Sequence, residues 1–294
     1  MTRSLLTTSS LIILLLLISS LSFNSYNIRA ESCECVAFRL DDVQDYYLDE
    51  VNMEIVKVFE RKNASLTLGI VGNFFGQDKT LVSFLKDRIE NNDTELIVSN
   101  HGWNHEDFRR FNVNEQSILI AKTNQKINHI LGVTPSTFIA PFDVFDNNTI
   151  VALRSNGIKY FSSFVDYDKG PYGALNESQV YHFPSKATTS NNNDTFWWGI
   201  KHTETFEQIK SSVQEYGFSV VQMHPYEFST KQEYNYEPFN VNDTNSTFSY
   251  KDFIKNWDKA GADQHQIREL ELLIDKLRSE GYKIVLIQDL KIVN

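Results

Sequence analysis

The sequence predicts an α/β fold, a mainly parallel sheet with helices outside, in one domain that follows a leader. Two observations predict it. Apolar runs of strand length alternate along the chain with stretches whose apolar residues recur at helical spacing. The 294 residues, 41% hydrophobic and 13% aromatic, suffice for one sizeable core, and a single α/β barrel often uses about 250 residues.

The elements follow in order. Residues 36–40 are a short apolar run and read as a first strand. Residues 48–59 carry Val51, Ile55, Val56 and Phe59 at helical spacing and read as a helix. Residues 65–71 are strand-like, 80–89 helical and 95–99 strand-like again. Residues 114–131 form a helix, 136–140 a strand, 149–155 a short helix and 159–164 a strand. Residues 206–216 are helical, and 218–223 are a buried strand by their apolar run. An amphipathic helix over 264–279 is closed by Gly281, and 283–287 form the last strand. No internal repeat interrupts this order. Two segments break the rhythm: 185–195 is polar and Asn-rich, and 227–261 is long and aromatic. Loops of that length in a compact domain are functional or disordered.

The net charge of −10 argues against a phosphate-binding surface, so nucleic acid is not an expected partner. Residues 1–30 read as a signal peptide: Met1-Thr2-Arg3 gives a positive start, 11–18 is unbroken Leu and Ile, and Ala30 fits a cleavage position. An uncleaved membrane anchor is the alternative. Either way residues 31–294 are expected outside the cell, secreted or at its surface. Sequons at Asn63, Asn92, Asn147, Asn176, Asn193, Asn242 and Asn245 agree with a glycoprotein, although a chain rich in Asn, Ser and Thr also produces them by chance. The two cysteines, Cys33 and Cys35, would close so small a ring that no internal disulfide is expected. A lipid-anchored Cys33 lacks the apolar residue usual three positions earlier. The sequence fixes no oligomeric state.

Four segments at predicted strand ends carry chemistry. Leu40-Asp41-Asp42-Val43 places two carboxylates after a strand, where they can take different tasks; a helix N-terminus would also favour Asp. His101-Gly102-Trp103-Asn104-His105 spaces two imidazoles four apart, able to share a metal, as Asp42 could; two solvated loop histidines are the plainer alternative. Ala140-Pro141-Phe142 is a Pro-set turn. Met223-His224-Pro225 puts a histidine after an apolar strand, either packed in the core or aimed at a barrel's C-terminal rim.

In this order the segments resemble the polysaccharide deacetylases of carbohydrate esterase family four, the NodB homology domain. The resemblance spans about residues 36–290 and includes Val165-Asp166-Tyr167-Asp168 and the closing Gly281-Tyr282-Lys283-Ile284-Val285. It implies a distorted (β/α) barrel and a secreted hydrolase that removes acetyl groups from an N-acetylated polysaccharide. It implies a divalent metal, zinc first with Co2+, Ni2+ or Mn2+ as alternatives, held by Asp42, His101 and His105. Asp41 would be the base, His224 the acid, and Asp166 or Asp168 the carboxylate supporting His224. Pro141, Phe142 and Trp103 would meet substrate, with a backbone N–H near Phe142 on the oxyanion. Three positions depart from the pattern. Val43 stands where glycine is usual, Ile139 where arginine is, and Tyr167 or Tyr172 would have to serve for a tryptophan. Arg39, two residues before Asp41 and on the same strand face, is the candidate replacement for that arginine, expected to lower the pKa of Asp41. The competing readings are a metal amidohydrolase acting on a small amide or peptide and an inactive glycan-binding relative. Trp197, Trp198, Tyr234, Tyr236, Phe239 and Tyr250 could stack on sugars or pack the long loops.

Overall fold

The computed structural model describes residues 33–91, 95–165, 172, 180–192, 197–231 and 260–290. The segment 1–30 expected to be a leader, Asp166, Asp168 and five sequons (Asn92, Asn176, Asn193, Asn242, Asn245) lie outside these residues, as do Tyr167, Tyr234, Tyr236, Phe239 and Tyr250. Among the described residues, no helix is long and apolar enough to cross a membrane.

The sheet begins with β1 (Cys35–Val43), followed by α1 (Asp49–Arg61), β2 (Leu66–Ile70), α2 (Lys79–Asn91) and β3 (Leu96–Asn100). Next come α3 (Val113–Leu131), β4 (Thr137–Ile139), α4 (Asn147–Ser155) and β5 (Tyr160–Ser162). Four short strands follow: β6 (Tyr181–His182), β7 (Ala187–Thr188), β8 (Ser190–Asn192) and β9 (Trp197–Gly199). The chain closes with α5 (His202–Tyr216), β10 (Phe218–Met223), α6 (Gln264–Ser279) and β11 (Lys283–Val285). Strand order is β6-β5-β4-β3-β2-β1-β10-β7 with β11 on β1, all parallel, while β8 and β9 form a separate antiparallel pair. This is the distorted, curled barrel that the sequence predicts.

Alternation along β1 divides two interiors. Val36, Phe38 and Leu40 face outward into the main core with Val51, Ile55 and Phe59 of α1 and Ile267, Leu270 and Ile274 of α6. Cys35 and Ala37 face inward, packing with Phe183, Phe218 and Val220 as an apolar barrel floor. Above that floor the inward positions are Arg39 and Asp41, both buried. The polar site therefore sits at the C-terminal ends of the strands, on top of an apolar plug.

Helix ends show why boundaries moved. Asn112 caps α3 with a reciprocal Glu115 contact, and Gly132 ends it in the left-handed region. Helix α5 starts at His202, before its first apolar residue, because Glu269 of α6 accepts the His202 N–H at 2.8 Å. That partner is distant in sequence. Segment 185–195 is not simply a loop: β7 and β8 lie in it, too short to display a period of two. The cysteine expectation is overturned, since Cys33 and Cys35 are disulfide-bonded with Cα atoms 5.0 Å apart. Glu34 between them takes φ +45°, turning the chain enough to bring them into range.

Candidate functional site

Adjacent strand residues point to opposite faces, yet Asp41 and Asp42 reach the same site. The register between β1 and β2 slips by one residue between Leu40 and Val43, a bulge, and Asp42 adopts φ +65°. Such a bulge re-aims a side chain beside an active site. Gly69 of β2 lies opposite, where an added Cβ would come within 3.4 Å of Asp41 Cα and His101 Cβ. His105, Phe142 and Asp143 also carry positive φ (55°, 56° and 61°). Four strained non-glycine residues in one place indicate a geometry that the surrounding packing enforces.

His101 leaves β3 buried, and its Nδ1 contacts the Ile139 carbonyl at 3.0 Å. A carbonyl only accepts, so Nδ1 carries the proton and Nε2 is left to bind. That Nε2 lies 3.3 Å from Asp42 Oδ1, and His105 Nε2 lies 3.2 Å from the same oxygen. One ligand atom from each of Asp42, His101 and His105 lies within 4.8 Å of the others. Asp42 Oδ1 and His101 Nε2 are buried without a hydrogen-bond partner. Two imidazole nitrogens and a carboxylate oxygen that converge on one point fit a divalent cation. Charge agrees: the buried Asp41, Asp42 and Asp143 face one buried guanidinium, Arg39.

Arg39 and Asp41 point together into the barrel. The guanidinium stands 3.3 Å from Asp41 Oδ2, donates to Asp143 Oδ1 at 2.5 Å and donates to Ser162 Oγ at 3.0 Å. Gln222 of β10 donates to Asp41 Oδ2 at 3.2 Å and to Asp143 Oδ2 at 2.9 Å. Both anchors engage one oxygen, so Asp41 Oδ1 is left without a partner. Arg39 pulls the Asp41 pKa down as expected, yet the net shift is upward. Burial raises it, and the opposing pull of Arg39, His101 and His224 does not compensate. For Asp42 the balance reverses: burial raises, but the neighbouring His105 and His101 imidazoles hold it well below the usual carboxylate range. Burial pushes His105 down to about 3.

His224 follows β10, with Nε2 3.9 Å from Asp41 Oδ2. Its Nδ1 partner among the described residues is Glu227 Oε1 at 3.0 Å; Asp166 and Asp168 lie outside those residues. The one-turn helix Pro225–Phe228 brings residue i+3 back over residue i. Burial lowers the His224 pKa, but the Glu227 hydrogen bond and nearby carboxylates outweigh it and raise it to about 9. Pro141 is buried, and the Phe142 ring meets His105 edge-on at 4.3 Å. Trp103 has Lys122 Nζ 3.9 Å from its ring centroid, and Lys126 also faces that ring. Tyr172 stands against His182 and Tyr216 and packs on the floor cluster. Trp198 on β9 is exposed.

Residues 29–161 match the family model described as Polysaccharide deacetylase. Over that span, a little under half of the chain, the sequence is similar to this family. Solved structures share the deacetylase fold. A family 4 acetyl xylan esterase from Clostridium thermocellum, in complex with a cobalt ion, gives TM-score 0.53 at 15% identity over 87% of this chain and 89% of that one. The Bc1960 peptidoglycan N-acetylglucosamine deacetylase, bound to 4-naphthalen-1-yl-N-oxidanyl-benzamide, gives 0.53 at 17% over 88% of each chain. BA3943, a CE4 family pseudoenzyme from Bacillus anthracis, gives 0.52 at 14% over 87% of this chain and 65% of that one. No curated protein matches. At such identities the structural likeness concerns the fold alone.

Asp143, Gln222 and Glu227 went unmarked in the sequence although each left a trace. Gln222 is the lone amide in an apolar run, Asp143 follows the aromatic-Pro turn, and Glu227 sits three residues after a His-Pro pair.

Proposed function

We propose that this domain hydrolyses N-acetyl groups on an amino-sugar polysaccharide, using a divalent ion held by Asp42, His101 and His105. One observation carries the reading: next to the trio's Asp42, Asp41 keeps Oδ1 buried without a partner while His224 Nε2 lies 3.9 Å from its Oδ2. A bound divalent ion would polarise the acetamide carbonyl and make water acidic enough to attack near neutral pH. Asp41 Oδ1 takes the proton of the attacking water while Arg39 and Gln222 hold Oδ2 still. His224 Nε2 delivers a proton to the departing nitrogen, which otherwise leaves poorly as an amide anion. The buried floor beneath Arg39 excludes bulk water from below.

The substrate class rests on the family and on the relatives named above, and the outward destination rests on the leader. Zinc is the first choice of metal, with cobalt, nickel or manganese as substitutes. The deciding experiment measures acetate release from acetylated glycans, with and without chelator. Zinc-restorable release from an N-acetylated glycan is expected. Release from simple amides alone would sink the glycan reading, and no release with zinc supplied would place the chain with inactive relatives.

A further inference from the structure

The acid half of the site holds more than the reading above uses. Glu227 is buried, its side chain only 2% exposed. Its Oε2 accepts from Thr189 Oγ1 at 2.5 Å, and its Oε1 accepts from Ser190 Oγ at 2.8 Å as well as facing His224 Nδ1. The link between β7 and β8 that supplies these hydroxyls is itself tied down. Thr188 Oγ1 donates to the Ser190 carbonyl at 2.7 Å, and Thr205 of α5 donates to the Thr188 carbonyl at 3.0 Å. Tyr226 stacks on the His224 ring at 5.0 Å between centroids. The imidazole is therefore fixed by a ring on its face and a clamped carboxylate on its edge.

A carboxylate held by two hydroxyl donors presents an acceptor to Nδ1, so the neutral imidazole keeps its proton on Nδ1. Nε2, the nitrogen nearer Asp41, is then the one that gains and loses a proton. We propose that Glu227, clamped by Thr189 and Ser190, is a positioning residue that fixes which nitrogen of His224 carries the transferable proton and where it points. In the step it serves, the His224 Nε2–H bond breaks as the new amine N–H bond forms. The electron pair of the cleaved C–N bond stays on the nitrogen, and His224 is left neutral with its proton on Nδ1. This inference rests on the deacetylase reading for its chemical purpose, though not for its geometry.

Two substrates separate positioning from mere support. An N-acetylated chitooligosaccharide needs a proton on its leaving nitrogen, whereas 4-nitrophenyl acetate expels a phenolate that needs none. In the full chain, Glu227→Gln and Glu227→Ala should lower kcat on the glycan by about 100-fold. KM should stay within about threefold, and ester hydrolysis and metal content should be retained. Glu227→Asp should recover part of the loss, and Thr189→Val with Ser190→Ala should lower glycan turnover by about 10-fold, of the size second-layer contacts carry. Equal loss on both substrates would overturn the proposal. A second readout needs no turnover. Nitrogen-15 NMR of the metal-free chain should show neutral His224 as the Nδ1–H tautomer in the wild type and lose that preference in Glu227→Gln. An unchanged tautomer would also overturn it. Should the wild type release no acetate from any glycan, the deacetylase reading fails while the tautomer measurement still decides the role of Glu227.

Discussion

Asp41, Asp42, His101 and His105 come from the ends of β1 and β3, on either side of Gly69 in β2, and their aim is set by backbone. A bulge and two left-handed residues, Asp42 and His105, turn them toward one point. His224 leaves β10 with an ordinary extended backbone, φ −127°, and is aimed instead by side chains, Glu227 and Tyr226. The ion half thus stores strain in main chain, while the acid half stores order in hydrogen bonds between distant segments. Substitutions in the first should remove the ion, and substitutions in the second should spare it.

The largest effect should fall on the ion half. Alanine at Asp42, His101 or His105 should reduce metal content to background and lower turnover by on the order of 1000-fold or more. Chelation of the wild type should do the same, reversibly on adding zinc. Elemental analysis beside acetate release checks both. A ligand variant that keeps its metal and its rate would break the division between halves.

Next is the acid. His224→Ala should lower kcat on an N-acetylated glycan by roughly 100- to 10,000-fold with little change in KM. Metal content should stay at the wild-type level, because the His224 contacts are to Asp41 and Glu227 rather than to the trio. Loss of metal in this variant would show that the halves are one unit.

The same division explains what the sequence could convey. Asp42, His101 and His105 sit in short motifs whose spacing is nearly their geometry, and the apolar run 218–223 and the amphipathic stretch 264–279 coincide with β10 and α6. The family pattern points to Asp166 or Asp168 as the support for His224, and both lie outside the described residues, whereas Glu227 with its clamp Thr189-Ser190 is assembled by tertiary contacts 37 and 38 residues apart. Strands of two or three residues, such as β6 and β7, carry no periodicity to read. The Asp41 pKa likewise depended on a balance between burial and Arg39 that only a complete environment decides.

Arg39 lies under both halves, so its removal sharpens the comparison. It touches Asp41 and Asp143, and Gln222 from the acid's own strand touches the same two carboxylates. Arg39→Met leaves these buried carboxylates without their cation, costing about 3–5 kcal/mol of stability at neutral pH, read from denaturant midpoints. Among the shifts on Asp41, burial raises its pKa and Arg39 lowers it. Deleting Arg39 therefore raises that pKa further, and the base is protonated at a higher pH than in the wild type. The acid limb of kcat/KM against pH should move upward, with metal content unchanged. A limb that stays in place, or moves down, would separate Arg39 from the base.

The smallest effect should come from the opposite end of β1. The Cys33–Cys35 bond precedes Asp41 by six strand positions, about 20 Å at the usual rise per residue. It borders the apolar floor, at the far end of β1 from the site. Its ring spans only three residues, so the loss of unfolded-state entropy it can supply is about 1.5 kcal/mol at most. For a domain of this size that corresponds to a fall in Tm of roughly 3–6 °C on reduction or in Cys33→Ser with Cys35→Ser. Turnover, KM and metal content should be unchanged, because both aiming devices, the bulge at Asp42 and the clamp on Glu227, lie at the other ends of their strands. Lost activity in a variant that remains folded would mean that the floor transmits order to the site. The distinction between a backbone-aimed half and a side-chain-aimed half would then have to include the packing beneath them.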